Sequence, residues 1–188
     1  HVISIDTRKA AVAEAALAAG ADMVNDVSAL RHDPAMAPLV AEAGVPAILM
    51  HAKGAPATMQ RAPHYDDVLA EVAAFLAGRI AAAQAAGIAP ERLAIDPGIG
   101  FGKNLAHNVT LLRSLAAFHD LGAPLLLGAS RKRFIGTLSG VDTPADRLAG
   151  SLAVALHGAR AGAHILRVHD PKETTEALAL ERALNEDE

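Results

Sequence analysis

The sequence predicts an α/β fold built on a parallel sheet, and three observations carry that expectation. One phrase recurs along the chain: a helical stretch closes at Gly, a β-prone run follows, and a polar residue ends the run. The runs are apolar without interruption, as in strands covered on both faces. Between them, apolar residues fall three and four apart, the spacing of helices packed on one side.

The elements follow in order. A strand is expected at Val2–Ile5, at the very start of the chain. Val12, Ala15, Ala16 and Ala19 then mark a helix that closes at Gly20, and a strand runs to Asn25. After Gly44 comes the run Ala47–Met50, ending at His51. Val68, Val72, Phe75, Leu76 and Ile80 mark a long helix closed near Gly87, and Leu93–Asp96 follows. Gly122 precedes Leu125–Leu127, and Gly162 precedes a strand from Ala163 to Arg167. Gly at these points suits the left-handed position just past a helix end. Six strands result, in a sheet that is either open and doubly wound or closed into a barrel; an eight-stranded barrel takes about 250 residues. The chain reads as one domain, with residues 185–188 as a frayed acidic tail. It opens at His1 rather than Met and enters a strand at once, so a fragment or a processed chain is expected.

The 188 residues carry 17 Lys+Arg against 21 Asp+Glu, a net charge of −4, with no long basic run. Aromatics are 3% and Trp is absent. A nucleic-acid binder needs a basic footprint and stacking platforms, and neither is present. With 52% hydrophobic residues the chain is too apolar for disorder. No apolar stretch approaches the roughly 20 residues that cross a bilayer, and no signal segment opens the chain, so a cytoplasmic protein is expected. Zero Cys excludes disulfides, thiolate metal sites and a cysteine nucleophile.

In parallel βα proteins the ligand sits at the carboxyl ends of the strands. The residues there are Asp6, Asn25, His51, Asp96, Ser130 to Lys132, and Arg167 with His169. Asp, Asn and Ser after a strand can merely cap the next helix, but Arg and His are poor N-caps, and the set as a whole reads as a site. Asp96-Pro97-Gly98-Ile99-Gly100-Phe101-Gly102-Lys103 is not a Walker loop, because Pro97 replaces the first Gly and Asn104 the Ser or Thr. It reads as a strand-end carboxylate followed by a loop whose glycines let backbone approach a flat ligand. The nine His residues show no paired metal-ligand spacing. Ser130-Arg131-Lys132-Arg133, with Arg167 and His169 on the neighbouring strand, suggests an anion pocket.

Ser4-Ile5-Asp6-Thr7, Val24-Asn25-Asp26-Val27-Ser28, Leu49-Met50-His51, the Asp96–Lys103 octapeptide, Gly128-Ala129-Ser130-Arg131-Lys132 and Arg167-Val168-His169-Asp170 closely resemble the dihydropteroate synthase family. The match runs in order over nearly the whole chain. The resemblance implies a TIM (β/α)8 barrel, here about six βα units corresponding to strands 3 to 8, so that residues 1–188 form a single pterin-binding barrel domain. It implies a transferase of folate biosynthesis that joins p-aminobenzoate to 6-hydroxymethyl-7,8-dihydropterin diphosphate and releases diphosphate, with Mg2+ on the diphosphate and a homodimer built on the C-terminal helices.

The same resemblance assigns roles. Asp6, Asn25, Asp96, Phe101 and Lys132 contact the pterin, with Asp96 accepting from N3–H and the 2-amino group. Asn25 donates and accepts along the same ring edge, Lys132 donates to the pterin carbonyl, and Asp6 stabilises positive charge on the ring as the C–O bond breaks. Phe101, Ser130 and Lys132 contact p-aminobenzoate, and Arg167 and His169 hold diphosphate. Asp6, Lys132, Arg167 and His169 are the catalytic set. No metal ligand is expected in this chain, since the family's first two strands and their loops, with the metal-associated Asn, have no counterpart here. For that reason the chain is expected not to turn over substrate by itself. Ala52, Lys53 and Arg133 stand where the family has Met, Arg and Ser. Two other readings are a methyltetrahydrofolate-dependent methyltransferase domain, which leaves the Ser-Arg-Lys and Arg-x-His motifs unexplained, and an inactive pterin-binding fragment.

Overall fold

The computed structural model describes residues 1–54 and 58–185. The strands are β1 Ser4–Asp6, β2 Met23–Asp26, β3 Ala47–Met50, β4 Leu93–Asp96, β5 Leu126–Leu127 and β6 Ile165–Leu166. Between and after them come α1 Ala10–Ala18, α2 Met36–Ala43, α3 Val68–Ala85, α4 Leu105–Arg113, α5 Arg133–Ser139, α6 Leu148–Arg160 and α7 Pro171–Asn185. All six expected strands are present, and the last two, β5 and β6, are shorter than the apolar runs suggested. The tail at residues 186–188 lies outside the described residues.

Every strand pair is parallel and the spatial order is the chain order. Ile5 pairs with Val24, Asn25 with Ile48, and Ile95 with both Leu49 and, through an isolated bridge, Leu125. Leu126 then pairs with Ile165. The sheet curls far enough that Arg167, one residue past β6, reaches Asp6 at the end of β1, with Nη1 to Oδ2 at 3.2 Å.

Side chains alternate across this curled sheet, as strand geometry requires. Val24, Leu49, Leu93, Ile95, Leu125 and Leu127 face outward and bury themselves under the helices, against Met36, Val40, Leu76, Leu111, Leu115 and Phe118. Ile48, Ala94 and Leu126 form a separate small cluster on the inner side, joined by Met23. Asp6, Asn25 and Asp96 share the inner parity. A strand that is apolar throughout thus buries its outer residues in the helix layer and aims its last inner residue at the strand-end mouth.

The helix ends use local devices. Asp67 accepts from Ala70 N–H at the start of α3, Asn104 and His107 form a reciprocal cap on α4, and Gly44 closes α2 at φ 63°. Among the strand-end candidates, Lys132 occupies the N-cap position of α5, but its side chain makes no cap bond there, so side-chain capping does not explain it. One expectation changes: α3 is long and apolar enough, by length and composition, to cross a membrane. Here it lies over the sheet, with Val68, Val72, Leu76 and Ala83 buried and Arg79 Nε donating to Ala29 O at 2.8 Å.

Candidate active site

At the strand ends the structure brings Asp6, Asn25, Asp96, Lys132 and Arg167 together. Asn25 Nδ2 donates to Asp6 Oδ2 at 2.8 Å. A carboxylate only accepts, so this contact fixes the direction of the amide and turns its oxygen the other way. Asn25 Oδ1 is buried and without a partner. Asp96 is fully buried, its Oδ1 accepts from Gly98 N–H at 2.7 Å, and its Oδ2 is likewise buried and unpartnered. An orphaned buried acceptor costs about 1–3 kcal/mol, so two of them at one mouth call for a ligand with donors. Asn25 Oδ1 can therefore accept from such a ligand. The amide has two hydrogens and the contact with Asp6 uses one, so the expected capacity both to donate and to accept is kept.

Burial pushes the Asp96 carboxyl up from the usual range, while Lys132 and the Gly98 N–H pull it back. Burial likewise pushes the Lys132 ammonium down to about 8, against the pull of Asp96. Lys132 Nζ donates to Ile99 O and stands 4.5 Å from the centre of the Phe101 ring. Phe101 and Lys132 thus form one wall. Beside them lies a groove of about 520 Å³ lined by Phe101, Leu105, Arg133, Phe134 and Thr137 among others.

Two glycines of the 98–102 loop make room for the chain itself. A Cβ on Gly98 would fall 1.8 Å from His51 O, and one on Gly102 2.1 Å from Lys53 O. Gly98 and Gly102 are small because the loop packs on the chain's own backbone after β3, whereas Gly100 faces the Lys132 side chain, where an added Cβ would lie 3.2 Å from Cδ. The loop is then held by Lys103, which sequence reasoning passed over. Its buried ammonium lies 2.9 Å from Gly98 O, 3.1 Å from Phe101 O and 2.8 Å from His51 Nδ1. Three acceptors meet three N–H donors. Tyr65 OH donates to Gly102 O, and Asn108 Oδ1 accepts from Gly100 N–H. Only the juxtaposition with His51, 52 residues away, reveals the Lys as a peg rather than a loop charge.

Burial pushes Lys103 down to about 7 and His51 down to about 3, the latter also under the influence of Lys103. Unfolded Lys103 holds its proton up to its ordinary value of 10.5. From pH 7 upward the unfolded chain therefore binds one more proton than the folded one, and stability rises with pH by up to about 1.4 kcal/mol per unit. Urea unfolding at pH 7 and 9 is expected to show a gain of about 1–3 kcal/mol from this group, and Lys103→Met to remove it. Lys132 adds a gain of the same sign above pH 8 that the variant retains. A wild-type curve that is flat over this range would count against a buried Lys103.

Ser130 is buried and sits under His169, whose N–H and Nδ1 lie 3.3 and 3.0 Å from its Oγ. Ser130 thus supports His169, a contact additional to the p-aminobenzoate role that the resemblance gives it. Arg167 lies against Gly128, where a Cβ would come within 3.1 Å of the guanidinium. His51, also a strand-end candidate, is spent on Lys103. Among the described residues no three His, Asp or Glu side chains converge as a metal site. Asp6 Oδ2 is shared between Asn25 and Arg167, so the described residues do not fit Mg2+ by themselves.

Residues 1–169 match the family described as pterin binding enzyme. The chain belongs to that family. Among relatives of this chain, dihydropteroate synthase from Escherichia coli K12 is 51% identical over 181 residues, covering 96% of the chain and 64% of the relative. The chain thus spans just under two thirds of that protein's length. Among solved structures, dihydropteroate synthase from Stenotrophomonas maltophilia superposes with a TM-score of 0.94 at 50% identity, covering 97% of the chain and 69% of the neighbour. The Xanthomonas albilineans enzyme, solved in complex with 7,8-dihydropteroate, gives 0.93 at 50% identity and covers 100% and 68%. These neighbours put the α/β architecture of the chain in the TIM-barrel family.

Proposed function

We propose that this pterin-binding chain carries the pterin and diphosphate sites of a dihydropteroate synthase, within a (β/α)8 barrel whose strands 3 to 8 it supplies. The observation that carries the reading is the pair of buried, unpartnered acceptors, Asp96 Oδ2 and Asn25 Oδ1. A pterin presents adjacent donors, N3–H and the 2-amino group, and fills both. The identity with enzymes named dihydropteroate synthase, one of them holding 7,8-dihydropteroate, supports the substrate class.

The reaction needs no covalent nucleophile. The amine nitrogen of p-aminobenzoate forms a bond to the pterin methylene carbon, the C–O bond breaks, diphosphate leaves with the electron pair, and the amine loses one proton. Asp96 and Asn25 orient the ring and Lys132 donates to its carbonyl. Asp6 places negative charge where positive charge develops on the ring, which lowers the barrier electrostatically. Arg167 and His169 receive the departing diphosphate; in taking the anion, Arg167 exchanges one oxyanion partner, Asp6, for another. Mg2+ on the diphosphate belongs to the proposal, without ligands from the described residues. A homodimer through the C-terminal helices belongs to it too, supported by α7, where Leu180 and Leu184 are 62% and 73% exposed. No specific observation favours the methyltransferase reading.

The test is calorimetric titration of the chain with 6-hydroxymethylpterin and, separately, inorganic diphosphate. Both are expected to bind, and Arg167→Ala to weaken diphosphate by about tenfold or more while leaving pterin within about twofold, because a charge-assisted contact contributes about 1.5–3 kcal/mol. Binding of neither ligand would sink the reading.

A further inference from the structure

The Ser130-Arg131-Lys132 turn contains a conformation that a non-glycine residue avoids. Arg131 has φ 57°, in the left-handed region, and its backbone is held there on both sides. Its N–H donates to Ser151 Oγ at 2.9 Å, and its carbonyl accepts from Arg147 Nη1 at 2.9 Å. Ser151 Oγ in turn donates to Arg147 O at 2.7 Å, so α6 closes a small network around one strained peptide. Gly would adopt this backbone without strain, yet the position holds the one side chain that forks. Arg131 Nε lies 3.1 Å from Asp170 Oδ2, and Nη2 donates to Oδ1. This two-point ion pair spans 39 residues and joins the loop after β5 to the loop after β6. Asp170 is itself anchored, its carbonyl accepting from Thr174 N–H at 3.0 Å and Thr174 Oγ1 at 2.8 Å at the start of α7.

The neighbours of the pair are the anion residues. Ser130 precedes Arg131 and supports His169, and His169 precedes Asp170. Arg167 leaves the same strand. We propose that Arg131 and Asp170 are positioning residues: their two-point ion pair sets the β5 and β6 loops at the spacing in which His169 and Arg167 grip a diphosphate. The inference rests on the reading of Arg167 and His169 as diphosphate ligands. The pair touches none of Asp6, Asn25 or Asp96, and the Lys132 side chain that follows Arg131 is held separately, by Ile99 O, so the pterin edge has its own supports. Each partner also holds the other's charge, the hydrogen bond to Asp170 raising the Arg131 guanidinium and that to Arg131 lowering the Asp170 carboxyl.

Arg131→Gly separates the fork from the fold, because Gly keeps the left-handed backbone without strain and loses only the side chain. Titrations of this variant, Asp170→Asn and the double variant use inorganic diphosphate and, in parallel, 6-hydroxymethylpterin, with thermal melting to follow the fold. Each single variant is expected to weaken diphosphate by about tenfold, the double no more than either single, and pterin affinity to stay within about twofold. Arg131→Lys keeps the charge without the fork and is expected to recover only part of the loss. Equal weakening of both ligands, an additive double variant, or unchanged diphosphate binding would each overturn the proposal and leave the pair a stabilising contact only. Wild-type protein that binds no diphosphate would overturn the functional reading first, and is seen before any variant is measured.

Discussion

Asp96→Asn is expected to lower pterin affinity by about a hundredfold with little loss of fold stability. The amide can keep its oxygen on the Gly98 N–H, the contact that holds the loop. Its nitrogen then takes the place of Oδ2, and a donor faces the donors of the ring. The buried acceptor is replaced by a clash of like hydrogens, and a lost hydrogen bond to a charged group is worth about 1.5–3 kcal/mol before that repulsion is added. At about 1.4 kcal/mol per factor of ten, this reaches two orders of magnitude. Calorimetric titration with 6-hydroxymethylpterin measures it directly. Affinity within threefold of wild type, in a protein with an unchanged melting curve, would remove Asp96 from the ring edge, the threefold margin being about 0.6 kcal/mol.

Gly98→Ala is expected to be the most destabilising single methyl in the chain. The added carbon would sit 1.8 Å from His51 O and 3.4 Å from Met50 Cγ, and the residue already has φ 68°. The obstacle is backbone at the end of a buried strand, so neither side can give way cheaply. Moving the loop would also break the Gly98 N–H bond to Asp96 and the Gly98 carbonyl bond to Lys103. A loss above about 4 kcal/mol belongs to this class of clash. For a protein of this size that lowers Tm by about 8–16 °C. Gly122 is the control, since it shares a positive φ of 70° and a Cβ there would meet nothing within 4 Å. Gly122→Ala should cost only the local strain of about 1–2 kcal/mol. Equal losses at the two positions would show that the close approach to His51 O carries no weight.

The strand-end residues are legible in the sequence because two periodicities coincide there. A run that is apolar on both faces and stops at a polar residue can place that residue only at the mouth, and Asp6, Asn25 and Asp96 follow that rule. The six strands are legible for the same reason, although β5 and β6 pair over two residues each where longer runs are expected. What stays hidden depends on contacts between distant parts of the chain. Lys103 beside Gly102 looks like a solvated loop charge until the backbone carbonyls of its own loop are wrapped around it. The direction of the Asn25 amide follows from Asp6, 19 residues away. Arg131 shows no sign of a left-handed backbone in its residue type, since Gly is the usual marker and Arg is not. The glycines of the 98–102 loop do signal a need for space, but the neighbour that takes the space is the chain itself.

The contact between Arg167 and Asp6 joins residues 161 apart in sequence, and both side chains remain partly in solvent. Loop-closure entropy grows with the length of chain enclosed, so this contact forms after the local βα pairs that bring its ends together. Held by one exposed ion pair between two short strands, it is also the contact that opens most readily in the folded protein. In hydrogen-exchange measurements on this chain the amides of β1 and β6 are accordingly expected to exchange faster than those of β3 and β4. On the proposed reading, the residues assigned to the anion lie where β1 and β6 meet, and Asp96, assigned to the ring edge, lies in the inner strand β4.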